Sequence, residues 1–268
     1  MFLLYAYIFI VGAAIGSFLN VVIARVPEGQ SILRPRSRCP DCKTPIRARD
    51  NIPLLSFVLL RGRCRQCGRR ISLRYPLVEA LNGTIYVLLF LQFGIQFKSF
   101  VYAAFVSALV AITFIDIDHQ IIPDVISLPG AMAALLLPAG LRVFGWSGIW
   151  PLSMLDALIG LLVGGLPLAL FALAYYLFTR TEGLGIGDMK LLAWTGALLG
   201  WQSVLMTIFL GSVLGTLVSV PLLIIGKKNG KTAIPFGPFL SAGAVISLLY
   251  GRELAKWWFV FGTNLIGG

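Results

Sequence analysis

Charge is what this sequence has least of. Only 12% of its 268 residues are Asp, Glu, Lys or Arg, about half the usual share in a soluble globule. Acidic residues number eleven, and there is one histidine, His119. The four cysteines all fall between positions 39 and 67. Each scarcity excludes something. So few charges beside 58% hydrophobic residues and a mean hydropathy of +0.88 exclude a water-solvated surface. Apolar stretches such as 155–178 and 211–225 are too long to hide inside a domain this small. The lone His119 reads as a loop residue rather than a base. Residues 1–24 lack the basic start and small-residue cleavage site of a signal peptide, so they read as a retained span. Neither low-complexity tracts nor long repeats are seen.

What is present is a series of runs near the roughly 20 residues that cross a bilayer. They predict an all-α polytopic membrane protein with about eight transmembrane helices, at 3–23, 77–93, 99–117, 123–143, 154–178, 188–200, 203–226 and 233–250. A small zinc-binding cytoplasmic loop domain lies between the first two. Trp257–Phe261 either extends or follows the last span. Thirteen of the 22 Lys and Arg sit in residues 25–74, against three acids. Basic loops stay in the cytoplasm, so this segment is placed inside and the N-terminus outside. Counting spans forward also places Arg180, Lys190, Lys227, Lys228 and Lys231 inside. Lys98, Arg142, Arg252 and Lys256 remain outside. The net charge of +11 is then topology, and no nucleic-acid partner is expected. The chain divides into 1–95, which holds the first two spans and the loop at 24–75, then 99–250 within the membrane, and a tail at 251–268.

The loop carries Cys39, Cys42, Cys64 and Cys67 with C-x2-C-x21-C-x2-C spacing, in two similar halves, CPDCKTPI and CRQCGRRI. Two turns offering two thiolates each can close a tetrahedral shell around Zn²⁺. A reducing cytoplasm disfavours disulfides, and redox chemistry would not need matched pairs. Four cysteines leave no open coordination position, so the expected zinc is structural. Gly68 suits a turn that brings the backbone close to the metal.

Acids near the bilayer are costly and tend to mark function, at about 2.5–3.5 kcal/mol for a central charge on insertion scales. One cluster runs Asp116-Ile-Asp118-His119-Gln120-Ile-Ile-Pro123-Asp124, and another Glu182-Gly-Leu-Gly185-Ile-Gly187-Asp188-Met-Lys190. Carboxyls at one depth on different spans can converge on one water. One takes a proton from it and the other donates to a scissile carbonyl, the pair sharing a proton because like charges so close do not both ionise. Asp116 and Asp188 are the expected pair. Gly185 and Gly187 would let a substrate strand lie against the backbone. Asp118 and Glu182 read as solvated loop acids. Asp124 is explained by helix capping, with a substrate contact as the other option. Lys190 either grounds Asp188 electrostatically or marks the inside face. Glu79 is hard to explain as packing.

Gly185-Ile-Gly187-Asp188 resembles the G-x-G-D signature of the membrane aspartyl proteases, which include presenilin, archaeal preflagellin peptidases and bacterial type 4 prepilin peptidases. Asp116, with Pro123 and Asp124 following, resembles the family's first aspartate motif. The paired C-x-x-C resembles the bacterial branch. So do Gly16-Ser-Phe-Leu-Asn20-Val-Val-Ile-Ala-Arg25-Val-Pro27 before it and Tyr75-Pro-Leu-Val-Glu79-Ala-Leu-Asn82-Gly83 after it. The chain thus resembles the type 4 prepilin leader peptidases and N-methyltransferases across residues 12–240. The resemblance implies cleavage of a short basic leader from prepilins and type II secretion pseudopilins, on the cytoplasmic side of the bacterial inner membrane. It also implies methylation of the new N-terminus from S-adenosylmethionine, with Asn20 and Asn82 as candidate residues. The loop is too short for a dinucleotide-type fold, and no G-x-G-x-x-G follows a strand, so the methyltransferase half rests on resemblance. Two other readings are an ion-coupled transporter using Asp116 and Asp188, and a membrane scaffold whose zinc loop docks a partner.

Overall fold

The computed structural model describes residues 1–146, 149–180, 185–224 and 234–266. Glu182, Lys227, Lys228 and Lys231 lie outside the described residues. Nine helices are described: α1 Phe2–Arg25, α2 Leu55–Leu59, α3 Arg74–Phe93, α4 Phe97–His119, α5 Asp124–Val143, α6 Met154–Thr179, α7 Ile186–Leu199, α8 Trp201–Ile224 and α9 Gly237–Ile266. The β structure among the described residues consists of two isolated bridges, Arg38–Pro45 and Arg63–Arg70. Six helices are long and apolar enough to span a membrane, namely α1, α3, α4, α5, α6 and α8. The multi-pass helical fold expected from the apolar runs is therefore what forms. Of the other two expected spans, α7 is as short as expected and α9 is longer. α7 has 14 residues, roughly 21 Å at 1.5 Å per residue, short of a hydrocarbon core of about 30 Å. α9 is one 30-residue helix, so Trp257–Phe261 extends it, and its apolar part is Gly237–Gly251.

Local chemistry sets the helix ends. Ser153 and Asp156 form a reciprocal capping box at the start of α6. α4 stops where Gln120 turns to φ +55° and donates its N–H to the Asp116 carbonyl at 2.9 Å. Internal prolines at 129, 138, 167 and 221 are carried within α5, α6 and α8, as membrane helices tolerate.

The chain forms two compact units, Met1–Ile115 and Asp116–Gly268. In the first, α1 lies against α3. Gly12 and Gly16 permit the contact: a Cβ on either would come within 2.8 Å of the α3 backbone, at Gly83 and Glu79. Asn82 Nδ2 donates to the Gly12 carbonyl at 2.7 Å, and its Oδ1 accepts from Ser107 on α4. Asn20 Nδ2 donates to the Gly16 and Tyr75 carbonyls. Both asparagines, candidates for methyl transfer by resemblance, are thus engaged in joining helices. In a bilayer, such close small-residue contacts and side-chain hydrogen bonds hold helices where apolar burial adds little.

In the second unit α7 packs against α5, α6, α8 and α9. Its crossing with α6 is backbone on backbone. A Cβ built on Gly160 would stand 2.0 Å from the Gly196 carbonyl oxygen, and one on Gly164 would stand 2.2 Å from the Leu192 carbonyl oxygen. No side-chain rotation relieves such a clash. Gly160→Val is therefore expected to cost at least the about 1–3 kcal/mol typical of overpacking. Thermal unfolding in detergent checks it, and an unchanged midpoint would show that α6 and α7 can separate freely.

Candidate active site and metal centre

Asp116 and Asp118 stand two positions apart on α4, so they point about 200° apart around the helix. The fold uses that difference. Asp116 is 6% exposed, whereas Asp118 and His119 face outward. Asp116 Oδ2 accepts a hydrogen bond from the Gly237 N–H at 3.0 Å. Gly237 is the first residue of α9, so the carboxyl sits at a helix N-terminus, where unpaired N–H groups favour an anion. A Cβ on Gly237 would stand 2.6 Å from the same oxygen. Gly237 was missed by sequence reasoning. The available signal was Pro235-Phe236-Gly237-Pro238, a glycine between prolines at the mouth of an apolar run.

Asp188 lies in the first turn of α7, half buried. Its carboxyl is within electrostatic reach of Asp116. The fold thus brings together the last turn of α4, the first turn of α7 and the N-terminus of α9. Beside Asp188 opens a cleft of about 190 Å³ walled by Leu168 and Ala172 of α6, Met189 of α7, Ile208 of α8 and Leu240 of α9. Its lining is nearly all apolar, with Asp188 as the one acid in it.

The glycines of Gly185-Ile-Gly187-Asp188 also make room within the chain. A Cβ on Gly185 would crowd Asp188 Oδ2 at 2.7 Å, and one on Gly187 would strike Ile122 at 2.9 Å. Both leave room for the site's own parts. Lys190 Nζ is paired with Asp124 Oδ1. The pair ties the first turn of α7 to the first turn of α5. Pro123 precedes that helix, and Asp124 is its first residue. Asp124 is 58% exposed, so the pair adds at most about 1 kcal/mol. Its use is alignment.

Gly237→Ala tests the close approach of α9 to the dyad. The added methyl displaces the Asp116 carboxyl and its hydrogen bond, and proteolysis should fall by about 10²-fold, the scale of losing one positioned donor at a reacting centre. The fold should be retained, as judged by gel filtration in detergent. Activity within twofold of the parent would remove Gly237 from the site.

The loop of the first unit builds its two knuckles alike. Cys39 N–H donates to the Thr44 carbonyl and Lys43 N–H to the Cys39 carbonyl. Cys64 N–H donates to the Arg69 carbonyl and Gly68 N–H to the Cys64 carbonyl. The residue after the second cysteine is left-handed in both, with Lys43 at φ +58° and Gly68 at φ +71°. All four thiols are free, and their sulfurs lie within 4.8 Å of one another. Cys39 and Cys67 sulfurs are 3.9 Å apart. A tetrahedral Zn²⁺ with bonds of about 2.3 Å has sulfur–sulfur edges of about 3.8 Å. The cluster therefore fits a metal ion. Hydrogen bonds from Thr44 pull the Cys42 thiol down to about 6, and backbone N–H groups of Cys67 and Gln66 lower Cys64. Cys67, despite the Arg69 N–H, is pushed up to about 11 by lost water and its three thiol neighbours.

Side-chain clasps hold this loop. Arg65 forks Asp50, with its shortest contact at 2.7 Å, and keeps that carboxyl below its ordinary range. Arg25 at the end of α1 donates to the Ser31 and Pro35 carbonyls. Glu79, 8% exposed on α3, accepts the Leu54 N–H at 2.8 Å, where Leu54 has φ +60°. Its burial thus has a partner: it anchors the loop to the membrane helix.

Comparison with known proteins also gives two parts. A family model described as the Bacterial Peptidase A24 N-terminal domain matches residues 10–93, and the Type IV leader peptidase family matches residues 103–220. The chain is 37% identical to a protein of Aeromonas salmonicida (strain A449) over 96% of this chain and 94% of that one. It is 38% identical to a Pseudomonas putida protein over 91% and 90%. It is 34% identical to one of Pseudomonas aeruginosa over 94% and 92%. All three carry the name "Prepilin leader peptidase/N-methyltransferase". No solved structure matches the chain.

Proposed function

From the premise that the chain belongs to the type IV leader peptidase family, we infer that Asp116 and Asp188 are the acids with which it removes prepilin leaders. It is a membrane protein with both protease and N-methyltransferase activity, as its family and relatives have. The comparisons support neither a transporter nor a scaffold. The observation that carries the dyad is convergence. Of the acids in the first motif, Asp116 alone is buried, bound to Gly237 N–H and within reach of Asp188.

The chemistry is peptide hydrolysis. One ionised carboxyl takes a proton from water as its oxygen bonds to the scissile carbonyl carbon. The other, protonated, donates to the carbonyl oxygen. The tetrahedral intermediate then collapses, the C–N bond breaks, and the amine leaves with a proton from the dyad. The products are a leader with a new carboxylate and a mature chain with a free N-terminus. The apolar cleft keeps bulk water and its competing hydrogen bonds from the pair.

Residues 99–250 carry this reaction, and residues 1–95 carry methyl transfer. The methyl donor is S-adenosylmethionine, which when bound supplies the methyl group to the freed amine. Asn20, Glu79 and Asn82 are already hydrogen-bonded within the first unit, so none is assigned to the donor. Cys39, Cys42, Cys64 and Cys67 hold one structural Zn²⁺. The basic loop and the dyad face the cytoplasm of the inner membrane, and the N-terminus faces out. Substrates include pseudopilins of type II secretion as well as prepilins. Mass spectrometry of a co-expressed prepilin tests the reading. Loss of the leader and gain of one methyl group are expected together. A full-length, unmodified prepilin would overturn it.

A further inference from the structure

A second hollow of about 410 Å³ adjoins the cleft beside Asp188. It is lined by Ser212, Gly215, Thr216 and Ser219 of α8 and by Ile234, Phe236 and Phe239. Phe236 lines both hollows, so this trough on α8 lies next to the cleft beside Asp188. The rest of that face carries large apolar side chains, with Leu205, Val213, Leu217 and Val218 all exposed. Among the described residues the trough brings three hydroxyls and a glycine into this apolar surface. A Cβ on Gly215 would meet only ordinary contacts with Phe236 and Phe239, at 3.4 and 3.5 Å. Among the described residues, a small side chain at 215 would therefore be accommodated without a clash.

An aspartyl protease cannot cut a peptide bond locked in a helix. The carbonyl must be open to water, so the residues around the scissile bond unwind. In an apolar medium the freed N–H and C=O groups need partners. An acyl chain has no such need, whereas an unwound peptide does. Ser212, Thr216 and Ser219 offer hydroxyls at helical spacing along the trough. Thr216 Oγ1 donates to its own helix at the Ser212 carbonyl, 2.8 Å away, which leaves its lone pairs able to accept. Phe236 and Phe239, with ring centroids 6.4 Å apart, form an apolar wall for the side chains of such a segment.

We propose that this trough on α8 receives the membrane-entering segment of the substrate, unwound where it adjoins the scissile bond, with Ser212, Thr216 and Ser219 as its polar partners. The proposal deepens the dyad reading and rests on it for the direction of the chain. Substrate is then recognised by its apolar stretch as well as by the sequence at the cut. Selectivity between membrane proteins would follow from how readily that stretch unwinds.

The test compares two substrates. One is a full prepilin in phospholipid vesicles. The other is a short soluble peptide that spans the cleavage site and ends before the apolar stretch. Thr216→Leu and Ser212→Leu, both at exposed positions, should raise KM for the full prepilin about tenfold or more. KM for the peptide should stay the same, and Thr216→Ser should behave as the parent. Equal changes for both substrates, or none for either, would overturn the proposal. A photo-crosslinking amino acid at position 216 gives an answer that does not depend on cleavage. It should capture the prepilin, whereas the same group in place of exposed Leu170 on α6 should not. Adducts only with lipid, or only with a second copy of the chain, would also overturn it. If the parent cuts neither substrate, the dyad reading fails, and the adduct at 216 alone decides the trough.

Discussion

Asp116→Asn and Asp188→Asn are each expected to lower leader cleavage by about 10²–10⁴-fold, the usual worth of one positioned proton-transfer group. The amide keeps the size of the carboxyl and can still accept the Gly237 N–H. It can neither take a proton from water nor give one to a carbonyl. Membrane insertion and yield should be unchanged. The double substitution should be no worse than either single one, because residues that act as a unit do not add. Asp118→Asn should keep most activity, since Asp118 lies on the opposite, outward face of α4. With one proton shared between two acids, the rate should trace a bell against pH, and its limbs belong to the pair. Cleavage assays on purified variants decide this. Substantial activity in either aspartate variant would refute the dyad, and Asp118→Asn falling below Asp116→Asn would move the first acid by two positions.

The other large effect concerns the loop. Purified without chelator, the chain should carry one zinc per molecule. Apparent binding energies for structural zinc in small domains run about 10–16 kcal/mol near neutral pH. A polar, arginine-rich segment has no comparable core to replace that. Removing zinc, or replacing Cys39, Cys42, Cys64 and Cys67 with serine, should therefore unfold residues 39–67. Limited proteolysis should cut within them at once, and methylation of a co-expressed prepilin should disappear. Changing one knuckle should be nearly as damaging as changing both, since two ligands do not hold the tetrahedron. Metal analysis and mapping of the proteolytic sites are the measurements. A metal-free chain with a protected loop, or disulfides in protein taken directly from cytoplasm, would contradict the assignment.

The two assignments differ in how far they could be read along the chain. Cys39, Cys42, Cys64 and Cys67 were marked by spacing, because a metal knuckle is built from neighbours in sequence. Their structural counterpart, the repeated turn with Lys43 and Gly68 left-handed, is local too. The helical runs were equally open to reading, since crossing a bilayer constrains composition over about 20 residues. The packing of α7 was not. At 14 residues it is held by backbone contact with α6 at Gly160, Gly164 and Gly196, which a count of apolar residues does not register.

By itself, the amino-acid order determined a multi-pass helical membrane protein, a four-thiol loop and the candidate acids at two helix ends. Those follow from composition, spacing and the cost of charge in an apolar medium. The tertiary structure decided which acid of the first motif turns inward. It placed Gly237, 121 positions from Asp116, against that carboxyl. It gave Lys190 to Asp124 rather than to Asp188, and assigned the open side of Gly187 to Ile122. It also used Glu79 as an anchor for the loop and Asn20 and Asn82 as ties between helices. Each of these depends on which helix lies beside which. Pattern along a chain reports periodicity and local preference, whereas the partner of a buried polar group is set by packing between segments far apart in sequence.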